Sequence, residues 1–108
     1  MLDFFDTELR VGEIVKAEIF TEAKKPAYKL WINFGEALGI KKSSAQITSL
    51  YTPQMLIGKL VIAVTNLEPK QVGPFISEVL LLGVDGKNVG DIILIAPEDK
   101  TDIGNRVH

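Results

Sequence analysis

With 108 residues, the chain has the size of one domain, so we expect residues 1–108 to fold around a single core. The absence of cysteine excludes disulfides and thiolate metal sites, and the only histidine is the last residue, so we expect no bound metal or cofactor. The net charge of −2 argues against a general nucleic-acid binder. No apolar run approaches the roughly 20 residues of a membrane helix, and the acidic start does not resemble a signal peptide. We therefore expect a cytoplasmic protein without membrane insertion.

The charges are unevenly distributed along the chain. Residues 1–22 hold two basic and six acidic side chains, and residues 71–108 hold three basic and six acidic ones. Residues 23–70 hold seven lysines and two glutamates. Two interpretations are open: the middle segment forms a local basic face, or lysines and glutamates simply alternate over a solvated surface.

Alternation of apolar and polar residues predicts the first two strands. Residues Leu9–Ile19 predict a long half-buried strand with the inward side chains Leu9, Val11, Val15, Ala17 and Ile19. Residues Tyr28–Phe34 predict a second strand with the inward side chains Tyr28, Leu30, Ile32 and Phe34. The alternation points Trp31 outward, where it is either a stacking platform or covered by another element or subunit; we favour coverage.

The third predicted strand, Ile40–Ile47, has a polar middle that allows two explanations. Its lysines can bind phosphates, and its hydroxyls and amide can form hydrogen bonds with a ligand. Alternatively, the segment is an edge strand that its lysines protect against aggregation.

A short helix follows the third strand. Thr52 and Pro53 form a typical helix start, and Gly58 is typical of the position just after a helix end. We therefore predict a helix over Gln54–Ile57 that is stabilised by the packing of Met55 and Leu56. Lys59–Asn66 predicts a strand that is apolar on both faces.

The segment Asn66–Gly83 predicts a connection rather than a central strand, because Pro69 and Pro74 cannot donate to a sheet ladder. Phe75 and Ile76 are large apolar residues in this turn, and we interpret the segment as the lip of a binding surface. At the end of this segment we predict a buried strand at Val79–Leu82, and after it a hairpin turn at residues 85–88. A last clear strand is predicted at Asp91–Ala96, and the tail at residues 106–108 is a candidate for a short edge strand.

These elements predict an all-β fold, a small five-stranded OB-fold barrel with a short helix between strands 3 and 4 and short terminal extensions. The chain contains no phosphate-binding glycine loop, no nucleophile elbow and no cluster of metal ligands. We therefore expect a binding protein rather than an enzyme.

Five segments resemble the tRNA-binding domain family, an OB-fold found as an appendage of methionyl- and tyrosyl-tRNA synthetases and as free-standing proteins. They are LRVGEIVKAE (residues 9–18), INFG (32–35), KKSSAQIT (41–48), GKLVIAVTNLEP (58–69) and SEVLLLG (77–83). SSAQIT and SEVLLLG resemble the CsaA subgroup of bacterial and archaeal export-related chaperones. The chain departs from synthetase-type domains at two places: they usually carry Gly-Met or Cys-Met in place of Glu78 and Val79, and often a second basic residue in place of Gln71.

The resemblance implies a homodimer without enzymatic activity that holds unfolded precursor polypeptides on the way to the translocase. Carried onto this chain, the implied ligand-binding residues are Lys41, Lys42, Ser43, Ser44, Gln46, Asn66, Lys70, Phe75, Ser77 and Glu78. The lysines would be charge partners, the hydroxyls and amides hydrogen-bonding groups, and Phe75 an apolar wall. We place Phe4 or Phe5 at the dimer interface, because a helical turn over Asp3–Glu8 cannot hide both on one face. The alternative is that both lie in the protomer core.

Three functions are compatible with this sequence. A peptide-binding chaperone predicts exposed apolar surface from Phe75, Ile76 or Trp31 and binding that depends only moderately on salt. A tRNA-binding module predicts clustered lysines and an affinity that falls steeply with salt. A structural dimer module that joins larger assemblies is the third.

Overall fold

The computed structural model describes residues 6–108 of the protein. Its strands are β1 (Leu9–Ile19), β2 (Tyr28–Asn33), β3 (Ile40–Ala45), β4 (Leu60–Val64), β5 (Lys70–Val72), β6 (Phe75–Ser77), β7 (Leu80–Leu81), β8 (Gly83–Asp85) and β9 (Ile92–Leu94), with helix α1 (Pro53–Leu56) between β3 and β4. Five antiparallel strands form one curved sheet in the order β3-β2-β1-β4-β7. This nearly closed barrel, with its helix between β3 and β4, confirms the predicted OB-fold.

A β-bulge in β1 makes part of the predicted alternation wrong. Ile14 pairs with Ile32, but the next pair joins Lys16 to Trp31, so Val15 is the extra residue. Val15, which was expected inside, is 39% exposed, whereas Ile14 is fully buried. Ile19, also expected inside, is 65% exposed at the end of the strand. The alternation changes phase at the bulge, which a period of two along the sequence does not show.

Gly12 lies where β1 closely approaches side chains of β2 and its extension. A Cβ atom at this position would lie 2.5 Å from Cγ2 of Ile32 and 2.7 Å from Cε1 of Phe34. Both distances are shorter than van der Waals contact, so only glycine fits. The close approach at Gly12 is therefore made by the side chains of β2 and its extension.

The prediction for β2 is confirmed. Tyr28, Leu30, Ile32 and Phe34 are all buried, and they form the centre of the barrel core with Ile14, Leu56 and Val61. The Tyr28 hydroxyl donates a hydrogen bond of 2.7 Å to the carbonyl oxygen of Tyr51, which ties β2 to the segment before α1.

Helix α1 forms as its end signals predict. The Thr52 hydroxyl accepts a hydrogen bond of 3.3 Å from the backbone N–H of Met55, Pro53 occupies the first turn, and Gly58 has a φ of +85°. Leu56 is fully buried, but Met55 is 58% exposed, so the expectation that both side chains pack was wrong for Met55. A helix of one turn presents only one side chain to the barrel.

The segment Asn66–Gly83 contains more structure than a turn. β5 and β6 form a hairpin that stands beside the main sheet, so Phe75 and Ile76 lie in a strand. The predicted buried strand at Val79–Leu82 is only partly correct, because Val79 is buried but Leu80 is 47% exposed. The predicted turn after Asp85 lies in the β8–β9 hairpin.

The C-terminal residues run along the outer side of β1. Val11 N–H donates to the carbonyl of Asn105 at 2.9 Å, and Val107 N–H donates to the carbonyl of Leu9 at 2.9 Å. The C-terminal tail therefore pairs with β1 at one isolated bridge, between Arg10 and Arg106, and does not form the predicted edge strand. The predicted interface residues Phe4 and Phe5 lie outside the described residues. Among residues 6–108, no helix has the length and apolar character needed to cross a membrane.

Candidate functional site

A groove of about 710 Å³ lies where the β1–β2 loop (residues 20–27), the end of β3 and the β5–β6 hairpin meet. Its lining residues are Phe20, Glu22, Ala23, Lys24, Lys25, Ala27, Ser44, Ala45, Gln46, Lys70, Val72, Gly73, Ser77 and Leu80. We call it the loop–hairpin groove. Its lining combines apolar side chains with hydroxyl, amide and charged groups, as binding grooves do.

Positive charge dominates this groove. Lys24, Lys25 and Lys70 are exposed at its lining, opposed by the single carboxylate of Glu22. A hydrogen bond from the backbone N–H of Glu22, with a second from the Thr21 hydroxyl, lowers the pKa of Glu22 below its usual value. Glu22 is therefore ionised at neutral pH, and the groove keeps an excess of two positive charges.

Four of the ten predicted ligand-binding residues line the groove: Ser44, Gln46, Lys70 and Ser77. Sequence reasoning did not select Lys24 and Lys25. Their position in the sequence could have indicated them, because the loop between the first two strands of an OB-fold borders its binding face.

Three predicted residues lie instead in the seam that closes the barrel between β3 and the segment Ser77–Val79. Glu78 N–H donates to the carbonyl of Lys42 at 2.7 Å, and Lys42 N–H donates to Oε1 of Glu78 at 3.0 Å. The buried Ser43 hydroxyl donates to the carbonyl of Val79 at 2.8 Å. β3 is therefore not a free edge. The carboxylate of Glu78, a residue at which the chain departs from synthetase-type domains, accepts the hydrogen bond that a backbone carbonyl would otherwise accept.

Phe75 is the apolar anchor of the hairpin. It is only 8% exposed and meets Phe20 and Trp31 edge-to-face, each with 5.7 Å between ring centroids. Lys42 Nζ lies 5.3 Å from the Phe75 ring centroid, and Lys16 Nζ lies 4.6 Å from that of Trp31. The expectation that Trp31 is covered by another element is correct. Exposed apolar surface in this region comes from Ile76, at 43% exposure, and not from Phe75.

The two remaining predicted residues lie away from the groove. Asn66 accepts a hydrogen bond from the backbone N–H of Glu8 at 2.9 Å and donates to the carbonyl of Asp6 at 2.7 Å, so its amide holds the N-terminal segment. Lys41 is half-buried on β3, opposite Ile32.

A hydrogen-bond network around Glu8 joins the start of β1 to the residue after β4 and to the C-terminal segment. Arg10 donates to Oε1 of Glu8 at 2.9 Å, and the Thr65 hydroxyl donates to Oε2 at 2.6 Å. The hydrogen bond from Arg10, followed by that from Thr65, lowers the pKa of Glu8 below its usual value. Arg10 also donates to the carbonyl of Gly104 at 2.6 Å, which fastens the C-terminal segment to β1.

A second groove, of about 820 Å³, lies between the C-terminal segment and the barrel wall. Its apolar lining residues include Leu9, Val11, Ile62, Leu82, Ile95 and Val107. We call it the C-terminal groove. It shares no lining residue with the loop–hairpin groove.

Residues 9–106 match the model of the family described as "Putative tRNA binding domain". The chain belongs to this tRNA-binding domain family. The match includes every residue of the barrel sheet and both grooves apart from Val107 and His108. The family predicted from the sequence motifs is therefore confirmed.

Two solved structures show the similarity to CsaA that the motifs predicted. The CsaA chaperone of Bacillus anthracis is 45% identical, with a TM-score of 0.89, over 100% of this chain and 99% of its own. The CsaA chaperone protein of Picrophilus torridus is 43% identical, with a TM-score of 0.90, over the full length of both chains.

The curated relatives include much longer proteins. The methionine–tRNA ligase of Bdellovibrio bacteriovorus is 31% identical over 105 residues, which is 97% of this chain and 15% of the ligase. The chain thus spans about 15% of the length of the curated relatives it matches.

Proposed function

We propose that this protein is a non-enzymatic chaperone that binds unfolded polypeptides in the loop–hairpin groove. The observation that carries the proposal is the composition of that groove, in which apolar side chains, hydroxyls and three lysines occur together. An unfolded chain offers apolar side chains, carboxylates and unpaired backbone groups at once, and each of these finds a partner there. The similarity to two CsaA chaperones over the full chain supports the same function.

Each part of the groove has a role in this proposal. The exposed Leu80 and the half-buried Val72 supply apolar contact for the client's side chains, above the buried Phe20 and Ala27. Ser44, Gln46 and Ser77 supply donors and acceptors for its backbone and polar groups. Lys24, Lys25 and Lys70 favour acidic clients and speed their encounter.

The proposal extends to the setting in which the protein works. We propose that its clients are precursor polypeptides held in the cytoplasm for export, with the translocase as a further partner. We also propose a homodimer that buries the C-terminal groove, because its aliphatic lining suits a protein interface. Sedimentation of the parent protein and of Ile95→Glu tests this: a dimer that dissociates in the variant is expected, and a monomeric parent contradicts it.

Charge reversal with a matched control tests the groove. The double variant Lys24→Glu/Lys25→Glu changes two groove lysines, whereas Lys87→Glu/Lys100→Glu makes the same charge change at exposed positions outside the groove. With a reduced, alkylated, fluorescently labelled α-lactalbumin as the unfolded chain, we expect the first variant to bind about tenfold more weakly. The control should stay within about twofold of the parent. Equal behaviour of both variants would place the binding site elsewhere.

The second candidate function is binding of tRNA, which the family description favours. Total tRNA replaces the unfolded chain in the same assay, at low and moderate salt. A module that neutralises several phosphates loses affinity by orders of magnitude over that salt range. Tight tRNA binding with steep salt dependence, together with weak capture of the unfolded chain, would favour this function over the chaperone.

A further inference from the structure

The β5–β6 hairpin has one strand edge that pairs with no other strand of the described chain. β6 pairs with β5 on one side and lies near β3 on the other, where Ser77 meets Ser44. Across residues 6–108, no strand pairs with the outer edge of β5. Lys70 and Gln71 are exposed, so this edge is accessible from solvent. Such edges are templates for another strand.

The hairpin turn determines which backbone groups point to this edge. Val72 pairs with Phe75, and only Gly73 and Pro74 lie between them. Gly73 has a φ of +57°, which fits the first central position of a type II′ turn. In that turn the two flanking residues bond to each other, so the next residue, Gln71, directs its N–H and C=O to the outer edge of β5.

This edge borders the loop–hairpin groove. Lys70 and Val72, the neighbours of Gln71 on either side, both line the groove. A strand laid along β5 would therefore place alternate side chains over the groove while its backbone pairs with Gln71.

We propose that the outer edge of β5 binds an extended polypeptide segment as an added strand, with the backbone of Gln71 as the central hydrogen-bonding partner. This inference rests on the proposed function, since it specifies how the groove recognises its client. Pairing through the backbone requires no fixed client sequence, and the groove lysines select an extended segment with acidic side chains by charge complementarity.

Two substitutions at Gln71 test the backbone contact. Gln71→Pro removes the outward N–H, and an edge strand accommodates proline at such a position. Gln71→Ala keeps the N–H and, like the proline variant, removes the side-chain bond of 2.6 Å to the Gly73 carbonyl. The probe is an end-capped peptide of about nine residues in which valine alternates with threonine or glutamate. We expect Gln71→Pro to bind it about fivefold more weakly than Gln71→Ala, which should bind like the parent.

Peptides methylated on alternate backbone nitrogens test the same contact with the parent protein, independently of how well the proline variant folds. In a paired strand only every second N–H points to its partner, so one methylated isomer should lose about tenfold or more in affinity and the other should bind nearly unchanged. The valines of the peptide all lie on one face of the added strand. A register shift of one residue would turn them away from the groove, so the register is fixed.

The outcomes separate this inference from the proposed function. Equal binding of both isomers, with Gln71→Pro equal to Gln71→Ala, overturns strand addition, and the proposed function then stands if Lys24→Glu/Lys25→Glu still weakens binding. Binding of tRNA but of neither the peptide nor the unfolded chain overturns both. A loss of dimer in Gln71→Pro at unchanged peptide affinity overturns the inference, because the edge then pairs with a second copy of this chain.

Discussion

Glu78 and Lys42 are joined by two hydrogen bonds across the seam of the barrel. The N–H of Glu78 donates to the carbonyl of Lys42 at 2.7 Å, and the N–H of Lys42 donates to the Glu78 carboxylate at 3.0 Å. The side chain of Glu78 thus takes the place of a backbone carbonyl in the closing ladder. This residue type at position 78 has a structural explanation in the barrel itself.

Removing the Glu78 carboxylate should destabilise the protein. Glu78→Ala leaves the half-buried Lys42 N–H without its acceptor, which costs about 1–2 kcal/mol of the free energy of unfolding. Glu78→Gln keeps a side-chain oxygen for the same bond and should cost less than half as much. Urea unfolding of both variants measures the difference. A neutral Glu78→Ala would show that the seam does not depend on this side chain.

Two adjacent serines should have opposite effects. Ser43 is 1% exposed and donates to the Val79 carbonyl in the seam, whereas the side chain of Ser44 lines the loop–hairpin groove. We expect Ser43→Ala to lower the free energy of unfolding by about 1–2 kcal/mol and to leave client affinity unchanged. Ser44→Ala should leave stability within about 0.5 kcal/mol and weaken client binding. Urea unfolding and fluorescence anisotropy measure the two effects, and the reverse assignment would contradict the orientation of β3.

Phe75 and Ile76 provide a second matched pair. Phe75 is 8% exposed among Phe20 and Trp31, so Phe75→Ala should cost about 2–4 kcal/mol by leaving a cavity. Ile76 is 43% exposed, so Ile76→Ala should cost less than about 1 kcal/mol. The fluorescence of Trp31, the only tryptophan, reports the loosening of the aromatic cluster during denaturant unfolding. Equal costs for the two variants would mean that the hairpin does not pack on the barrel as described.

The Glu8 network should make stability depend on pH in a defined direction. The pKa of Glu8 is lowered from 4.5, chiefly by the hydrogen bond from Arg10, so the charged form is favoured in the folded state. Its stabilisation is therefore complete above pH 4.5 and is lost as the pH falls through the lowered pKa. We expect Glu8→Gln to cost about 0.5–1 kcal/mol at neutral pH, and we expect this cost to shrink as the pH falls below 4.5.

The control for this prediction is Glu98→Gln, which changes an exposed carboxylate. Urea unfolding across the pH range should show no comparable trend for Glu98→Gln. A cost for Glu8→Gln that does not shrink at all as the pH falls below 4.5 would rule out the ion pair as its cause.

Local sequence signals predicted much of the fold. The alternation in Tyr28–Phe34 and the end signals Thr52 and Gly58 each rest on neighbouring residues, and the structure confirms both. The bulge at Val15 was not predictable in this way, because it depends on how β1 pairs with two strands at once. Phe75 was placed in an open turn because local signals do not show its partners. These partners, Phe20 and Trp31, lie more than forty residues earlier in the chain.

The candidate site was predictable only in part, for the same physical reason. Ser44, Gln46, Lys70 and Ser77 were selected by resemblance and line one groove. Lys42, Ser43 and Glu78 came from the same motifs, but the barrel uses them in its seam. Adjacent residues of a strand point to opposite sides, which separates Ser43 from Ser44. Lys42 takes part in the seam through its backbone N–H and C=O, which its residue type does not show.

The most direct test of the central claim is a nitrogen-15 NMR titration of the parent protein with the unfolded α-lactalbumin chain. We predict that the amide signals that shift or broaden first belong to the β1–β2 loop, the end of β3 and the β5–β6 hairpin, including Lys24, Lys25, Gln46 and Lys70. Signals of the C-terminal groove, such as those of Ile62 and Leu82, should change little at the same client concentration. First changes at the C-terminal groove, or none at all at saturating client, would contradict polypeptide binding in the loop–hairpin groove.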